Sequence, residues 1–554
     1  MKFTSILLAL LSGILLWLGW PTYGFAGLLL IAFVPLLLSE KRIRSSSTKR
    51  KAGKVFLHSY LTFFIWNIAT TYWLYFSTPF GMWFAVLANA ALMSLVFLGY
   101  HLLARRATQG AALTFLACLW ISFERMHLEW DFSWPWLNLG NGFSEMTSWI
   151  QWYEYTGTFG GSLWIWLVNI FAFLSVLAFR PEKLQDKLLF KKIKSGLISK
   201  RKFIIKRFSV LLGLIIIPIV ISQILVFDIL SFQKGGGTNV VIVQPNIDPY
   251  SQKYYTTNDS VVKVIMNLAQ PEMDAFTDLM ITPETVLADN VRLSQLDKLE
   301  YDRSVNQIRA ALYEYPNMYY LGGISIAEIF TDTTRITTQT NVARDGRTLY
   351  NDYNSAMFLA ATDSLQVYHK SKLVVGVENF PYKNILQPIL GDAMLDLGGT
   401  VATKTTQKER SVFQIKNGIK VAPIICYESV YGEYVTDYVK NGAQFLAIIT
   451  NDAWWGNTQG HQQHLSLARL RAIENRRWIA RSANTGISAV IDERGNILES
   501  LEYGTEGVIK GIVYPKTKVT FYTTHGDYIA RIASLMGLFV LLFSVFRRGK
   551  IKRK

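Results

Sequence analysis

The sequence predicts a membrane protein that combines a multi-pass bundle of about eight α-helical spans with an α/β domain. Three observations predict this fold class. Apolar residues make up 50% of the 554 residues, and the mean hydropathy of +0.20 is too high for an ordinary soluble protein. Apolar runs of spanning or near-spanning length occur before residue 231 and again after residue 527. The intervening segment, 234–527, has the composition of a soluble domain.

The apolar runs define the predicted domain organisation. We expect a seven-span transmembrane domain over residues 1–231, an α/β catalytic domain over 238–515, a transmembrane helix over 526–547 and a basic cytoplasmic tail over 548–554. The fifth run is shorter than the roughly 20 residues that a spanning helix needs, so its limits are the least defined. The predicted spans are 4–20, 23–38, 57–76, 81–103, 111–123, 160–179, 210–230 and 528–546.

Most of the net charge of +17 lies in loops on one side of these spans. Segment 40–54 holds seven basic residues and one acidic residue, segment 180–207 holds eleven basic and two acidic, and the tail 547–554 holds six basic. Basic residues mark the cytoplasmic loops of membrane proteins. The pattern therefore predicts a cytoplasmic amino terminus and a catalytic domain on the outer side, with anionic lipid and not nucleic acid as the partner of the positive charge.

The segment between the seventh and eighth spans has the pattern of an α/β domain. Short β-branched runs alternate with helical patterns, of which 464–480 is the clearest. Cys118 lies in an apolar run and Cys426 in a predicted strand, so a disulfide framework is excluded. The predicted strands are 239–243, 279–282, 319–324, 356–360, 421–426, 445–450 and 487–491.

Cys426 is the first candidate for chemistry. It ends the apolar strand VAPIIC (421–426) and precedes two polar residues. A thiol at a strand end can be presented at the rim of a sheet, beside backbone N–H groups that bind an oxyanion. A lone cysteine on an apolar strand is more often a buried structural thiol. The local pattern alone leaves both interpretations open.

Two further strand ends carry ionisable side chains. The strand 279–282 runs into Pro283 and Glu284, and a strand pattern at 367–369 leads into Lys370. If Glu284, Lys370 and Cys426 meet at the edge of one sheet, they supply an acid/base, a cation and a nucleophile around one acyl carbon. A solvated glutamate and an exposed lysine are the ordinary alternatives, and spacing alone does not decide between them.

Five motifs follow one another along the α/β segment: VQPN (243–246), TPET (282–285), YHKSKL (368–373), ICYE (425–428) and NDAWWG (451–456). In order and separation they resemble the motifs of the nitrilase or carbon-nitrogen hydrolase superfamily. Three further motifs are WPWLNLG (134–140), ARLRAIENRR (468–477) and NTGIS (484–488). These motifs, and the insertion of such a domain between seven spans and a final one, resemble the membrane branch of that superfamily, the bacterial apolipoprotein N-acyltransferases.

The resemblance implies an αββα sandwich for the α/β domain and assigns roles to its residues. It implies Glu284 as the catalytic base, Lys370 as the catalytic lysine and Cys426 as the nucleophile. Lys372 competes with Lys370, but the family places its lysine eight residues before a second glutamate, which pairs Lys370 with Glu378. The supporting and substrate-binding residues that it implies are Glu378, Tyr427, Glu428, Tyr254, Asn451 and Trp454.

The function implied by the resemblance is lipoprotein maturation in the bacterial inner membrane, with the catalytic domain on the periplasmic side. A fatty acyl chain moves from a phospholipid, with phosphatidylethanolamine the implied donor, through a thioester on Cys426 to the amino-terminal amine of a diacylglyceryl-cysteine apolipoprotein. The resemblance implies no cofactor and no metal. Two alternatives remain: a membrane-tethered nitrilase-type amidase or hydrolase that uses water, and a transporter or binding protein with an inert nitrilase-like domain.

Two other patterns have alternative interpretations. His461 and His464 in GHQQH stand at helical spacing that suits a metal, but the sequence shows no HExxH motif or third ligand, so we interpret them as polar residues at a helix start. The aromatic-rich loop 130–155 is typical of an interfacial belt. It could also form a lipid entrance below the catalytic domain.

Overall fold

The computed structural model describes residues 2–179, 200–230, 236–248, 256–288, 294–343, 345–379, 381–382, 385 and 403–551. Helices dominate the part before residue 231, as the apolar runs predict. The helices of this part are α1 (Lys2–Leu18), α2 (Val34–Ser45), α3 (Lys51–Thr71), α4 (Pro79–Ala104), α5 (Gln109–Glu129), α6 (Tyr153–Thr156), α7 (Thr158–Phe179) and α8 (Lys200–Leu230).

The predicted count of eight spans is not confirmed. Among the described residues, four helices are long and apolar enough to cross a membrane, and Thr4–Leu18 is a shorter apolar helix. The predicted span 23–38 is wrong as one helix. Residues Ala26–Leu30 form a 3₁₀ helix and α2 begins at Val34, because Pro35 suits the first turn of a new helix and would break a continuing one. The four helices cover Pro79–Ala104, Thr158–Ala178, Phe203–Phe227 and Tyr528–Phe546.

The fifth predicted run is longer in the structure than the sequence suggests. The apolar run 111–123 lies inside α5, which has 21 residues and ends at Glu129. The Thr108 hydroxyl caps its first turn by accepting a hydrogen bond from the backbone N–H of Ala111, at 3.3 Å. Polar residues such as Glu124 and His127 extend the helix toward the catalytic domain, which is why hydropathy alone misses its last turns.

The α/β domain contains two stacked sheets. The first has the strand order β14-β1-β2-β4-β6-β5, with β3 beside β4 and β7 beside β6, and the second has the order β13-β12-β11-β10-β9-β8. Strands β1, β2 and β4 are parallel, as are β9, β10 and β11. The strands are β1 (Thr238–Gln244), β2 (Leu279–Ile281), β3 (Ser294–Gln295), β4 (Tyr319–Phe330), β5 (Asn341–Val342), β6 (Leu349–Leu359), β7 (Gln366–His369), β8 (Phe413–Gln414), β9 (Lys420–Ile425), β10 (Phe445–Thr450), β11 (Ile479–Ala483), β12 (Ala489–Ile491), β13 (Ile497–Ser500) and β14 (Gly507–Val513).

Alternation along the strands explains the layering. On β1, Val240 and Ile242 belong to the core between the sheets, whereas Val241 and Val243 pack with the helices on the outer face. A strand with apolar residues on both faces is buried between two layers. The resulting helix–sheet–sheet–helix order is the predicted αββα sandwich. The helices of the domain and those after it are α9 (Asn258–Ala269), α10 (Arg303–Tyr313), α11 (Gly432–Lys440), α12 (Gln459–Asn475), α13 (Phe521–His525) and α14 (Tyr528–Ile551).

Helix α12 joins the sandwich to the membrane helices. The predicted helix 464–480 has the wrong limits: α12 ends at Asn475 because Arg476 adopts a left-handed conformation (φ 49°), and Ile479 already belongs to β11. Almost every residue of α12 is buried despite its polar sequence. Its side chains bond to the bundle instead of to water: Trp73 with Gln463 (3.2 Å), Ser144 with Ser466 (2.9 Å), Thr158 with Glu474 (3.2 Å) and Glu154 with Arg476 (2.8 Å).

Candidate active site

The three candidate catalytic residues follow strands of both sheets. Glu284 comes after β2 and Lys370 after β7, both in the first sheet, whereas Cys426 comes after β9 in the second. The three residues therefore do not share the edge of one sheet. The residues meet because two stacked sheets present their strand ends on the same side of the sandwich.

Gly323 on β4 allows the turn that carries Glu284 to approach the sheet. Its N–H donates a hydrogen bond to the carbonyl oxygen of Pro283 at 3.0 Å. A Cβ atom at position 323 would lie 2.5 Å from that same oxygen. A side chain there would push the turn away, so glycine at this position fixes where the Glu284 carboxylate can lie.

Lys370 lies between two carboxylates. Its Nζ is 2.8 Å from Oε1 of Glu284 and 2.9 Å from Oε2 of Glu378, and the lysine side chain is only 1% exposed. Asn354 on β6 donates from Nδ2 to both carboxylates, at 2.8 Å each. The backbone N–H groups of Asn451 (3.2 Å) and Val374 (2.9 Å) complete their coordination. The predicted pairing of Lys370 with Glu378 is thus present as a contact.

The charges of Lys370 and of its two carboxylate partners shift the pKa values of Lys370 and Glu378. Burial alone would lower the pKa of Lys370, but Glu284 and Glu378 raise it well above its usual value. Burial would likewise raise the pKa of Glu378, but Lys370 and the Val374 N–H hold it below the usual value. Lys370 therefore stays charged, and it neutralises only part of the negative charge around it.

Cys426 is the first residue after β9 and begins a 3₁₀ helix, Cys426–Val430. Its backbone has φ 49°, which is rare for a non-glycine residue and turns the thiol sharply out of the strand direction. The residue is 7% exposed. Burial first, and then the charge of Glu284, raise the pKa of the Cys426 thiol well above its usual value, whereas Lys370 acts in the opposite direction.

The raised pKa predicts how Cys426 reacts with pH. At neutral pH the resting side chain is the thiol and not the nucleophilic thiolate. We expect its alkylation by iodoacetamide, followed by peptide mass spectrometry, to accelerate continuously from pH 7 to beyond pH 9. A rate that already levels off below pH 8 would contradict the raised pKa.

Glu428 is a buried carboxylate that organises the backbone around Cys426. Oε1 accepts hydrogen bonds from the hydroxyls of Tyr368 (2.6 Å) and Tyr434 (2.5 Å) and from the N–H of Ser371 (2.8 Å). Oε2 accepts from the N–H of Ile425 (2.9 Å) and the hydroxyl of Tyr438 (3.1 Å). One side chain thereby connects the segment after Lys370 to the strand that ends at Cys426.

Replacement of this carboxylate should therefore damage both stability and activity. Glu428→Ala removes the acceptor of five donors, at a cost of roughly 1–3 kcal/mol for each donor that neither water nor another acceptor reaches. We expect a large fall in the denaturation midpoint of detergent-solubilised protein. Glu409→Ala is the matched control, because its side chain is outside this network. Equal midpoints for the two variants would contradict the assigned role.

Tyr427 connects the nucleophile to the aromatic-rich loop. Its hydroxyl donates to the carbonyl oxygen of Ser133 at 3.2 Å, and its ring centroid is 6.4 Å from that of Trp136. Trp136 also packs against Trp455 (5.7 Å) and Trp73 (5.1 Å). Part of the loop 130–155 is therefore a contact between the bundle and the catalytic domain, next to Cys426, and is more than an interfacial belt.

The other predicted supporting residues have different positions. Asn451 follows β10, and its backbone N–H holds Glu284 as described above. Trp454 lies in the 3₁₀ helix Ala453–Trp455 and is partly buried. Tyr254 lies outside the described residues. Lys372, the competing lysine, lies away from the two carboxylates that hold Lys370: its Nζ donates to the Leu128 carbonyl oxygen at 3.2 Å and lies 4.8 Å from the Tyr431 ring centroid.

Sequence reasoning missed Asn354 and a cluster around His464. Asn354 lies inside β6, where a lone asparagine gives no signal of its partners. His464 was expected at a helix start, but it is 1% exposed in the second turn of α12, with Nδ1 2.9 Å from Oδ1 of Asp452. The sequence did offer one signal for this cluster: Asp452, in the NDAWWG motif, is an ionisable residue just after the end of an apolar strand.

One group of described residues has the spacing of metal ligands. The ligand atoms of Cys426, Asp452 and His464 all lie within 4.8 Å of one another. Both carboxylate oxygens of Asp452 are already bonded, Oδ1 to His464 and Oδ2 to Nη2 of Arg481 at 2.7 Å. We therefore interpret the group as a hydrogen-bonded cluster and not as a metal centre.

The sandwich and the Glu–Lys–Cys arrangement define the class of protein. Residues 239–516, half of the chain, match the carbon-nitrogen hydrolase family, so the chain belongs to that family. Residues 12–171 match the apolipoprotein N-acyltransferase N-terminal domain. These matches confirm the predicted resemblance, and with the apolar helices they identify a membrane protein.

Relatives match over nearly the whole length. The apolipoprotein N-acyltransferase of Chlorobaculum tepidum is 27% identical over 551 residues, which cover 98% of this chain and 97% of the relative. That of Geobacter metallireducens is 26% identical and covers 98% and 96%. Among solved structures, an amidase from Nesterenkonia sp. is 14% identical, with a TM-score of 0.38 over 54% of this chain and 97% of the amidase.

Proposed function

We propose that this protein is an N-acyltransferase that moves a fatty acyl chain from a membrane phospholipid to the amino terminus of lipoproteins. The observation that carries the proposal is the buried Glu284–Lys370 pair beside Cys426 in a domain fixed to a membrane bundle. The full-length relatives named apolipoprotein N-acyltransferase support the choice of substrates.

In the first step, Glu284 takes the proton of the Cys426 thiol and the thiolate attacks the ester carbonyl of the phospholipid. Lys370 and backbone N–H groups stabilise the oxyanion of the tetrahedral intermediate. The C–O bond of the ester breaks, and lysophospholipid leaves with the proton held by Glu284. The acyl chain remains on Sγ as a thioester.

In the second step, the α-amine of a diacylglyceryl-cysteine peptide attacks the thioester. Glu284 accepts a proton from this amine as the new C–N bond forms. The C–S bond then breaks, and the Cys426 thiolate regains a proton from Glu284. The products are an N-acylated lipoprotein and the free enzyme, so the three residues act twice in one ping-pong cycle and no cofactor takes part.

The lipid substrates explain why the domain is fixed to the bundle. Both carry chains that stay in the membrane, so the reacting ester and amine must reach Cys426 at the membrane surface. Tyr427 contacts Ser133 and Trp136, so the site lies next to the aromatic loop 130–155. We propose that this loop lies at the membrane surface. We place the catalytic domain on the periplasmic side of the bacterial inner membrane, with phosphatidylethanolamine as the donor.

The experiment that tests the function compares two acceptors. Purified protein is incubated with phosphatidylethanolamine and a diacylglyceryl lipopeptide, and lipid and peptide products are separated by mass spectrometry. We expect N-acyl lipopeptide and lysophospholipid in equal amounts. Free fatty acid with unmodified lipopeptide would instead identify a hydrolase that uses water.

A further inference from the structure

His464 contacts the backbone of the proposed nucleophile. Its Nε2 is 3.2 Å from the carbonyl oxygen of Cys426 and 3.0 Å from Oγ of Ser429. The Ser429 hydroxyl itself donates to the Cys426 carbonyl oxygen at 2.7 Å. That carbonyl therefore receives hydrogen bonds from two buried side chains, which is unusual in a residue that belongs to a short 3₁₀ turn.

Asp452 and Arg481 hold the other ring nitrogen of His464. Asp452 presents a carboxylate oxygen to Nδ1 at 2.9 Å, and Nη2 of Arg481 lies 3.2 Å from the same nitrogen. Nε2 faces the Cys426 carbonyl oxygen and the Ser429 hydroxyl. The imidazole ring therefore connects the Asp452–Arg481 pair to the turn that begins at Cys426.

Charged and aromatic groups enclose the imidazole ring. Burial alone would raise the pKa of Asp452, but Arg481 and His464 hold it well below its usual value, so the carboxylate is ionised. The other sides of the ring face the aromatic rings of Trp136 and Trp455, at 6.0 and 5.6 Å between centroids. The ring is thereby held between a buried carboxylate and two indole rings.

We propose that His464, oriented by Asp452, is a positioning residue that fixes the Cys426 backbone in its left-handed conformation and so directs the thiol toward Glu284 and Lys370. A left-handed non-glycine residue costs roughly 1–2 kcal/mol, so contacts must hold it. The hydrogen bonds from His464 and Ser429 to the Cys426 carbonyl oxygen are such contacts. Without them the turn can relax, and Sγ then moves away from its acid/base and its cation.

The test uses three variants of the full-length protein. His464→Leu removes the hydrogen bonds of the ring. His464→Gln keeps one N–H donor for the Cys426 carbonyl and tests whether that hydrogen bond is sufficient. His461→Gln is the matched control, because His461 lies one turn earlier on α12, contacts Asn457 and stacks on Tyr503.

The first readout is the rate of Cys426 alkylation by iodoacetamide between pH 6 and pH 11, measured by peptide mass spectrometry. It needs neither lipid nor lipoprotein. Although the inference rests on Cys426 as the nucleophile of the proposed function, its failure is therefore distinguishable from a failure of that function. We expect His464→Leu to react at least about tenfold more slowly at pH 8, because its thiol is displaced from Lys370, whose charge favours the thiolate. His464→Gln should recover most of the parental rate through its N–H donor.

The second readout is the steady-state acyl transfer to lipopeptide. We expect kcat to fall by at least about 100-fold in His464→Leu and by less in His464→Gln, with KM for phospholipid within about threefold of the parent, because the positioning acts on the reacting group. His461→Gln should match the parent in both readouts. The proposal is overturned if folded His464→Leu has the parental alkylation profile, or if His461→Gln shows the same loss as His464→Leu.

Discussion

Cys426→Ala should abolish acyl transfer while it leaves the protein folded. The substitution removes the sulfur that forms the thioester, and no described group near Cys426 can replace it as a nucleophile of comparable strength. Loss of a covalent nucleophile costs at least about 10³-fold in kcat in enzymes that depend on one. The side chain is small and its truncation leaves the backbone contacts of Ser429 and His464 in place. The measurement is N-acylation of lipopeptide by detergent-solubilised variant, with the thermal midpoint recorded in parallel.

Cys118→Ala is the matched control for this variant. Cys118 is the other cysteine of the chain and lies buried in α5, outside the catalytic domain. We expect the control to retain the parental rate within about twofold. A Cys426→Ala variant with more than a tenth of the parental rate would contradict a thioester mechanism at this position, whatever its stability.

Lys370→Met should both destabilise the protein and abolish acyl transfer. It leaves the carboxylates of Glu284 and Glu378 buried without their cation, and only the Asn354 amide still bonds to both. Removal of one partner from a buried charge pair costs about 3–5 kcal/mol. We expect this loss in the free energy of unfolding, together with loss of acyl transfer, since the oxyanion also loses its cation. Denaturant unfolding in detergent measures the first effect and lipopeptide acylation the second.

Lys372→Met, the same substitution at the neighbouring lysine, is the matched control. Lys372→Met removes one hydrogen bond to a backbone carbonyl and a contact with the Tyr431 ring, so a loss of about 1 kcal/mol is expected. If Lys372→Met were as destabilising and as inactive as Lys370→Met, the choice of Lys370 as the catalytic lysine would be wrong.

The pH dependence of Lys370→Met should have the opposite sign to that of the parent. In the parent, the lowered pKa of Glu378 contributes stability that is present above the ordinary glutamate pKa and is lost as the pH falls through the folded value. In the variant, the two unpaired carboxylates disfavour their charged forms, so protonation relieves the repulsion. We therefore expect the variant to gain stability relative to the parent as the pH falls from 8 to 5.

The sequence allowed prediction of the strands and of the residues at their ends. The β-branched runs at 239–243 and 445–450 lie within β1 and β10, because strands buried on both faces are apolar without interruption. Glu284, Lys370 and Cys426 were found because an ionisable side chain directly after an apolar run is an unusual local pattern. Their assignment needed the resemblance to a family, since local spacing does not show which strand ends meet.

What the sequence did not reveal depends on contacts between distant segments. Asn354 and Glu284 bond across 70 residues, and His464 and Cys426 across 38, so no periodicity connects them. The limits of α12 were wrong because Arg476 ends the helix through a backbone conformation that its side chain does not announce. The second predicted span was wrong because hydropathy sums composition and ignores the break at Pro35.

The most direct test of the account is the mass of the Cys426 peptide during a single turnover. Protein is incubated with phospholipid that carries one defined acyl chain, divided, and digested before and after addition of diacylglyceryl lipopeptide. We expect the Cys426 peptide to gain the mass of the corresponding fatty acid less one water, and neutral hydroxylamine to remove this adduct, as is expected for a thioester. Addition of lipopeptide should discharge the adduct with formation of N-acyl product. Lipopeptide that becomes N-acylated at the full rate while the Cys426 peptide never carries an acyl chain would contradict the account.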